Sequence, residues 1–235
     1  MGASRGVAAQ SDEGAESLDI TQNAGFTHRF EPATNPAAPA LLLLHGTGGD
    51  ENTLLPLGRA IAPGAALVSP RGNGLEHGMA SFFRRLEKGV VDQQDLEFHT
   101  RELRGLIAFA VHTYSVAANR LVAVGVSNGA ILAASLVLRH PDTCAGVILL
   151  RGMAPFMPEP IPDLRRKPIL LLGGLDDPIV QTDEAGDLAN IFRSADADVT
   201  VHWENAGHTL AQGDVLMAFD WLRQFYATQR AARPQ

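Results

Sequence analysis

Short apolar runs of strand length recur along the chain without alternating with polar positions: Ala40–Leu44 (ALLLL), Ala65–Ser69 (AALVS), Arg120–Val126 (RLVAVGV), Ala145–Leu150 (AGVILL) and Pro168–Gly174 (PILLLGG). A further run is Asp198–Trp203 (DVTVHW). Unbroken apolar runs are what strands covered on both faces require. Between them, residues 52–61, 95–114, 128–138, 183–192 and 210–226 carry apolar positions at helical spacing. Strand and helix therefore alternate, and right-handed crossovers turn that order into a mostly parallel sheet with helices on both faces. In such sheets ligands bind beyond the carboxyl ends of the strands, so those ends are where chemistry is expected.

Composition narrows the picture. The 235 residues suit one α/β domain, and 46% hydrophobic with 19% charged residues is a globular composition. A net charge of -7 gives no electrostatic reason to bind nucleic acid or an anionic membrane surface. The single cysteine, Cys144, excludes an internal disulfide and reads as a small buried hydrophobe; no Cys/His spacing suggests a metal. Residues 1–24 lack the apolar core of a signal peptide and read as a polar, mobile leader, followed by one domain over 25–228 and a short tail over 229–235. No apolar run approaches the roughly 20 residues of a membrane span, so a cytoplasmic protein is expected. The Pro-rich stretch PFMPEPIPD is expected to flank the site.

The candidate chemistry sits at the strand ends. Gly125-Val126-Ser127-Asn128-Gly129 leaves a buried strand and opens a helix, the setting that makes G-x-S-x-G informative. A serine at the tip of so tight a turn needs neighbours nearly free of side chain, which Gly125 and Gly129 supply. The competing reading is that Ser127 and Asn128 merely cap the helix. A nucleophilic serine needs a base, and the base needs an orienting acid. After PILLLGG comes Leu175-Asp176-Asp177-Pro178; the proline restrains Asp177, which favours it over Asp176 as the acid. After DVTVHW comes Ala206-Gly207-His208-Thr209, and His208 follows serine and aspartate at the end of a later strand. His28, His77, His99, His112 and His140 fall on segments that end elsewhere or face solvent, and His202 lies within a strand. His45-Gly46-Thr47-Gly48-Gly49 ends the first buried run, where the Thr47 N–H, with that of Asn128, is suited to hold an oxyanion, and His45 reads as an anchor of the loop. A phosphate cradle is disfavoured, since neither G-x-G-x-x-G nor Gly-Lys-Ser/Thr is present.

With these motifs in hand, the chain resembles the α/β-hydrolase superfamily and, within it, the phospholipase/carboxylesterase group that includes acyl-protein thioesterases and small bacterial esterases. The likeness spans about residues 25–226 and rests on LLLHGTGGDE, LVSPRG, VGVSNGA, GGLDDPIV and AGHTL. It implies an α/β-hydrolase fold with little or no cap domain, Ser127, Asp177 and His208 as a catalytic triad, Thr47 and Asn128 as oxyanion donors, and no cofactor. Asn128 stands where acyl-protein thioesterases commonly carry glutamine, and GMASFFRRL replaces a tryptophan-containing segment, which brings the chain nearer to bacterial carboxylesterases. The expected function is a serine carboxylesterase for small or short-chain esters, with a small-molecule ester as partner and a homodimer as the one assembly considered. Thioester or lysophospholipid hydrolysis and a silent ligand-binding protein are the alternatives. Met79, Phe82, Phe83 and Met153 are expected to line the pocket. Arg84, Arg85 and Lys88 read as a solvated helix face.

Overall fold

The computed structural model describes residues 21–23, 25–35, 38–87 and 89–231. Six runs form the strands β3 (Ala40–Leu44), β4 (Ala66–Pro70), β9 (Leu121–Val126), β10 (Gly146–Leu150), β11 (Pro168–Gly174) and β12 (Asp198–Glu204). Ahead of them lie β1 (Thr21–Asn23) and β2 (Phe26–Glu31), and between β4 and β9 lie β5 (Gly74–Glu76), β6 (Met79–Ser81), β7 (Arg85–Glu87) and β8 (Val90–Val91). The helices are α1 (Leu55–Ile61), α2 (Gln93–Thr113), α3 (Asn128–Arg139), α4 (Thr182–Ser194) and α5 (Gln212–Ala231). Residues 21–23, assigned from sequence to the leader, are thus an edge strand; the rest of that leader, and residues 232–235 of the tail, lie outside the described residues.

The main sheet runs β1-β2-β4-β3-β9-β10-β11-β12. From β4 to β12 neighbouring strands are parallel, while β2 is antiparallel to β4 and β1 to β2. Side chains alternate across each strand with a period of two, so each apolar run feeds two cores. Leu42, Leu44, Ala123, Val147, Leu149, Ile169 and Leu171 face the core covered by α2, α3 and α4. Leu41, Leu43, Val122, Val124, Ile148, Leu150, Leu170 and Leu172 face the core covered by α1 and α5. That double coverage is why the runs show no polar alternation. Every residue of α3 from Asn128 to Leu138 is buried, because α3 packs against β3, β9, β10 and α2.

The chain leaves this pattern between β4 and α2, where it forms the hairpins β5–β6 and β7–β8. The helix face expected around Arg84 and Arg85 is therefore a strand: Val90–Val91 folds back on Arg85–Glu87 across Gly89, whose φ of 78° makes a turn. Arg84 pairs with Asp92 at 2.7 Å, and Lys88 lies outside the described residues. The Pro-rich stretch does not flank the carboxyl end of the sheet. Residues 156–160 instead line a small cleft with Leu138 and Arg139, at the opposite end of α3 from Ser127. Among the described residues no helix is long and apolar enough to cross a membrane.

Candidate active site

The chain goes from β3 to β4 on one side and returns to β9 on the other, so the strand order reverses between β3 and β9. At such a reversal the connections diverge to opposite faces and leave a crevice beyond the carboxyl ends. Thr47 follows β3, Ser127 follows β9, Asp177 follows β11 and His208 follows β12. The four sequence candidates are brought to one rim of the sheet.

Ser127 adopts φ 52° and ψ -111°, a conformation costly for any residue with a side chain. Its neighbours permit it. A Cβ on Gly125 would come within 2.4 Å of the Gly129 oxygen, and one on Gly129 within 2.1 Å of the Leu44 oxygen, so both positions exclude every other residue. The turn is tied down when the Ser127 N–H donates to the Leu150 oxygen at 2.8 Å and the Ser127 oxygen accepts from Ala130 and Ile131 at 3.0 and 3.1 Å. The serine side chain makes no capping hydrogen bond to the helix, which removes the capping reading. Its Oγ lies 3.0 Å from His208 Nε2.

On the other side of the ring, His208 Nδ1 lies 2.8 and 3.0 Å from the two Asp177 carboxylate oxygens. The pairing assigns the proton to Nδ1, leaving Nε2 to accept from the serine hydroxyl. The Asp177 side chain is 1% exposed. Burial by itself would raise its pKa; the Ile179 N–H, the His208 ring and the Val180 N–H outweigh burial and hold the carboxyl below its ordinary range. Asp176 is exposed and takes no part, using only its backbone N–H to reach the Ala206 oxygen at 3.1 Å. Pro178 lets the next two N–H groups, of Ile179 and Val180, close on the Asp177 carboxylate at 2.8 and 3.1 Å.

The loop after β3 is clamped from three directions. His45 is 1% exposed, with Nδ1 on the Gly46 oxygen at 2.7 Å and Nε2 accepting from the Gly72 N–H at 2.9 Å, and burial lowers its pKa. The Gly48 N–H donates to the Ala80 oxygen at 2.7 Å. The Thr47 hydroxyl donates to Glu76 at 2.8 Å, and Glu76 is bridged to Arg85 at 2.6 Å. Burial presses the Glu76 pKa upward, but Arg85 and Thr47 outweigh it and hold the carboxyl below its usual range. The Asn128 N–H, first in its helix, has no intrahelical acceptor by position. Its side chain is fully buried: Oδ1 accepts from the Phe82 N–H at 2.9 Å and Nδ2 donates to the Phe83 oxygen at 3.3 Å.

That fastening corrects the expected pocket. With their backbone held on α3, Phe82 and Phe83 turn inward and are 0% exposed, in the core with Phe26 and Leu96 rather than on a cavity wall. Met153 is half-buried against the same core. Of the four, Met79 alone lines the cavity at Ser127, a cleft of about 750 Å³ whose apolar wall is Leu54, Met79, Leu86, Val126 and Ile179. That volume lies within the range of small-molecule sites. His77, set aside on sequence grounds, also lines it, as do Glu76 and Arg85. The charge of Arg85 is already answered by Glu76 at this wall. Sequence reasoning missed Glu76 as a support of Thr47, and it missed Arg151, which follows β10 and is buried against Asp214 with its Nε donating to the Gly207 oxygen beside His208. Their signal is a charge beside a strand end, which reads as surface until the fold buries it. Among the described residues no group of three His, Cys, Asp or Glu side chains could hold a metal ion.

A model of the family described as Phospholipase/Carboxylesterase matches residues 27–224. MhqD of Bacillus subtilis (strain 168), named as a hydrolase, is 41% identical over 197 residues, covering 84% of this chain and 98% of that protein. Among solved structures, the Bacillus cereus carboxylesterase superposes with a TM-score of 0.83 at 40% identity, over 86% of this chain and 96% of the other. A carboxylesterase from Mesorhizobium loti gives a TM-score of 0.83 at 28% identity, over 88% and 99%.

Proposed function

Because the chain belongs to the phospholipase/carboxylesterase family of α/β-hydrolases, we propose that it is a serine carboxylesterase in which Ser127 is the nucleophile, His208 the base and Asp177 the orienting acid. The observation that carries this reading is the continuous contact from Ser127 Oγ to His208 Nε2 at 3.0 Å and from His208 Nδ1 to Asp177 at 2.8 Å, on a serine held in a strained turn.

Ser127 Oγ attacks the ester carbonyl carbon while its proton passes to His208 Nε2, and the N–H groups of Thr47 and Asn128 hold the resulting oxyanion. Each such donor is worth about 2.7–4 kcal/mol in the transition state. The imidazolium then protonates the alkoxide as the carbon–oxygen bond breaks, leaving an acyl-serine and a free alcohol. Water, deprotonated by His208, attacks the acyl carbon; the tetrahedral intermediate collapses to the acid and the serine hydroxyl recovers its proton. Asp177, held ionised by its two backbone donors, favours the imidazolium formed in each half of the cycle. The apolar wall of Leu54, Met79, Leu86, Val126 and Ile179 suits an uncharged acyl or aryl group.

The test is labelling by a fluorophosphonate probe together with hydrolysis of p-nitrophenyl esters of graded chain length. The wild-type protein should label and turn over short esters, and Ser127→Ala should lose both, with kcat falling about 10⁶-fold. An unlabelled wild type, or hydrolysis that survives Ser127→Ala, overturns the proposal. A rate on acyl thioesters far above that on esters would move the substrate assignment to thioesters.

A further inference from the structure

The loop that carries His208 lies between β12 and α5 and has no regular structure of its own. Besides the Asp176 N–H on the Ala206 oxygen and the His208–Asp177 contact, it is held by a buried ion pair that the reaction does not touch. Arg151 follows β10 with φ 54°, and its side chain and that of Asp214 are both 0% exposed. A guanidinium out of water must have its five N–H donors satisfied and its charge balanced. Here Nη1 donates to Asp214 Oδ1 at 2.9 Å and to the Leu172 oxygen at 3.1 Å, and Nη2 to Asp214 Oδ2 at 2.7 Å. The remaining donors go to the loop: Nε to the Gly207 oxygen at 2.8 Å and Nη2 to the Thr209 oxygen at 3.4 Å. Gly207 and Thr209 are the residues on either side of His208. Asp214 in turn accepts from the Ala211 N–H at 2.8 Å, which fixes where the loop enters α5.

We propose that Arg151 is a positioning residue for His208, one planar fork that sets the carbonyls flanking the histidine and ties them to β11, the strand that delivers Asp177. This rests on His208 being the base proposed above. A buried ion pair is not explained by stability, because replacing such a pair with apolar side chains of similar volume is often neutral or stabilising. A guanidinium offers what an apolar pair lacks: directed bonds to carbonyls on two sides of one residue, in a fixed plane.

The experiment compares the full chain carrying Arg151→Met with Asp214→Leu, and the single variant Arg151→Lys, against wild type in p-nitrophenyl butyrate hydrolysis and in the rate of fluorophosphonate labelling at Ser127. The double variant removes both charges, so it should unfold cooperatively near the wild-type temperature. Its kcat should fall about 100-fold with KM within about twofold, the size of loss that a misplacement of about 1 Å produces. The downfield Nδ1–H resonance of His208 should broaden or vanish. A folded double variant whose kcat and labelling rate stay within about threefold of wild type overturns the proposal. Should the double variant not fold, Arg151→Lys decides: it keeps Asp214 paired, but a point charge cannot span both carbonyls, so kcat should drop about tenfold at unchanged KM. Wild-type turnover in that variant overturns the proposal as well. A wild-type protein that never labels at Ser127 overturns the assignment of His208 as base, and with it this inference; labelled wild type with unaffected variants overturns the inference alone.

Discussion

Around Ser127 the chain is shaped by exclusion, with backbone so close that Gly125 and Gly129 have no room for a Cβ, whereas around His208 it is held by attraction, through the Asp177 carboxylate and the Arg151 guanidinium. The first device is rigid and local: five residues, from the end of β9 to the start of α3, contain nearly all of it. The second is distributed, drawing on residues from the ends of β10, β11 and β12 and the start of α5. In the proposed reaction the nucleophile must keep its place relative to the oxyanion donors, and both the serine and the Asn128 N–H ride on the same turn. The proposed base, His208, must pass a proton between two oxygens, which a ring on a hydrogen-bonded loop can do.

Breaking the attractive side should have the largest effect on rate. Asp177→Asn keeps the shape but favours the wrong imidazole tautomer, so kcat should fall about 10⁴-fold, while Asp176→Asn should change it little. Steady-state kinetics on both variants check this, and equal losses would mean that the acidic turn acts as a charge rather than as an orienting group. Breaking the exclusive side should instead appear as lost fold. Gly129→Ala places a methyl 2.1 Å from the Leu44 oxygen, where only backbone can yield, and should cost about 4 kcal/mol of stability or abolish soluble expression. Urea unfolding measures it, and a variant of wild-type stability would show the turn to be pliant.

The smallest effect sharpens the contrast through pH. His45, which anchors the Thr47 loop, and His28 and His99 elsewhere are buried, and burial lowers the pKa of each below 6.5. Their unfolded forms bind protons more readily than their folded forms. Their contribution is therefore complete above the unfolded pKa of about 6.5 and is lost as pH falls from there toward the folded values. Each adds a slope of at most about 1.4 kcal/mol per pH unit. The urea midpoint should stay flat between about pH 7 and pH 8 and decline below about pH 6.5, and His45→Asn should make that decline shallower. A midpoint that rises on acidification contradicts the assignment.

Several features needed only the order of residues. Five of the six strands and five helices follow from unbroken apolar runs and helical spacing, because burial on both faces leaves its mark in the chain itself; the edge strand β12, none of whose residues is buried, alternates polar and apolar positions instead. The Ser127 turn was equally plain, since a steric requirement at fixed offsets can be met only by glycine. Asp177 was separable from Asp176 by the proline after it, and His208 by its place in the chain. Tertiary structure decided the rest. The short hairpins β5–β6 and β7–β8 have no periodicity to betray them, and Phe82 and Phe83 are core rather than cavity wall only because the Asn128 side chain, 45 and 46 positions away, takes up their backbone. Glu76 and Arg151 carry no local pattern either: a charge near a strand end is surface or scaffold according to what the fold lays over it. Spacing along the chain records what a residue does to its neighbours in sequence, and only the folded chain states which distant group answers a buried charge.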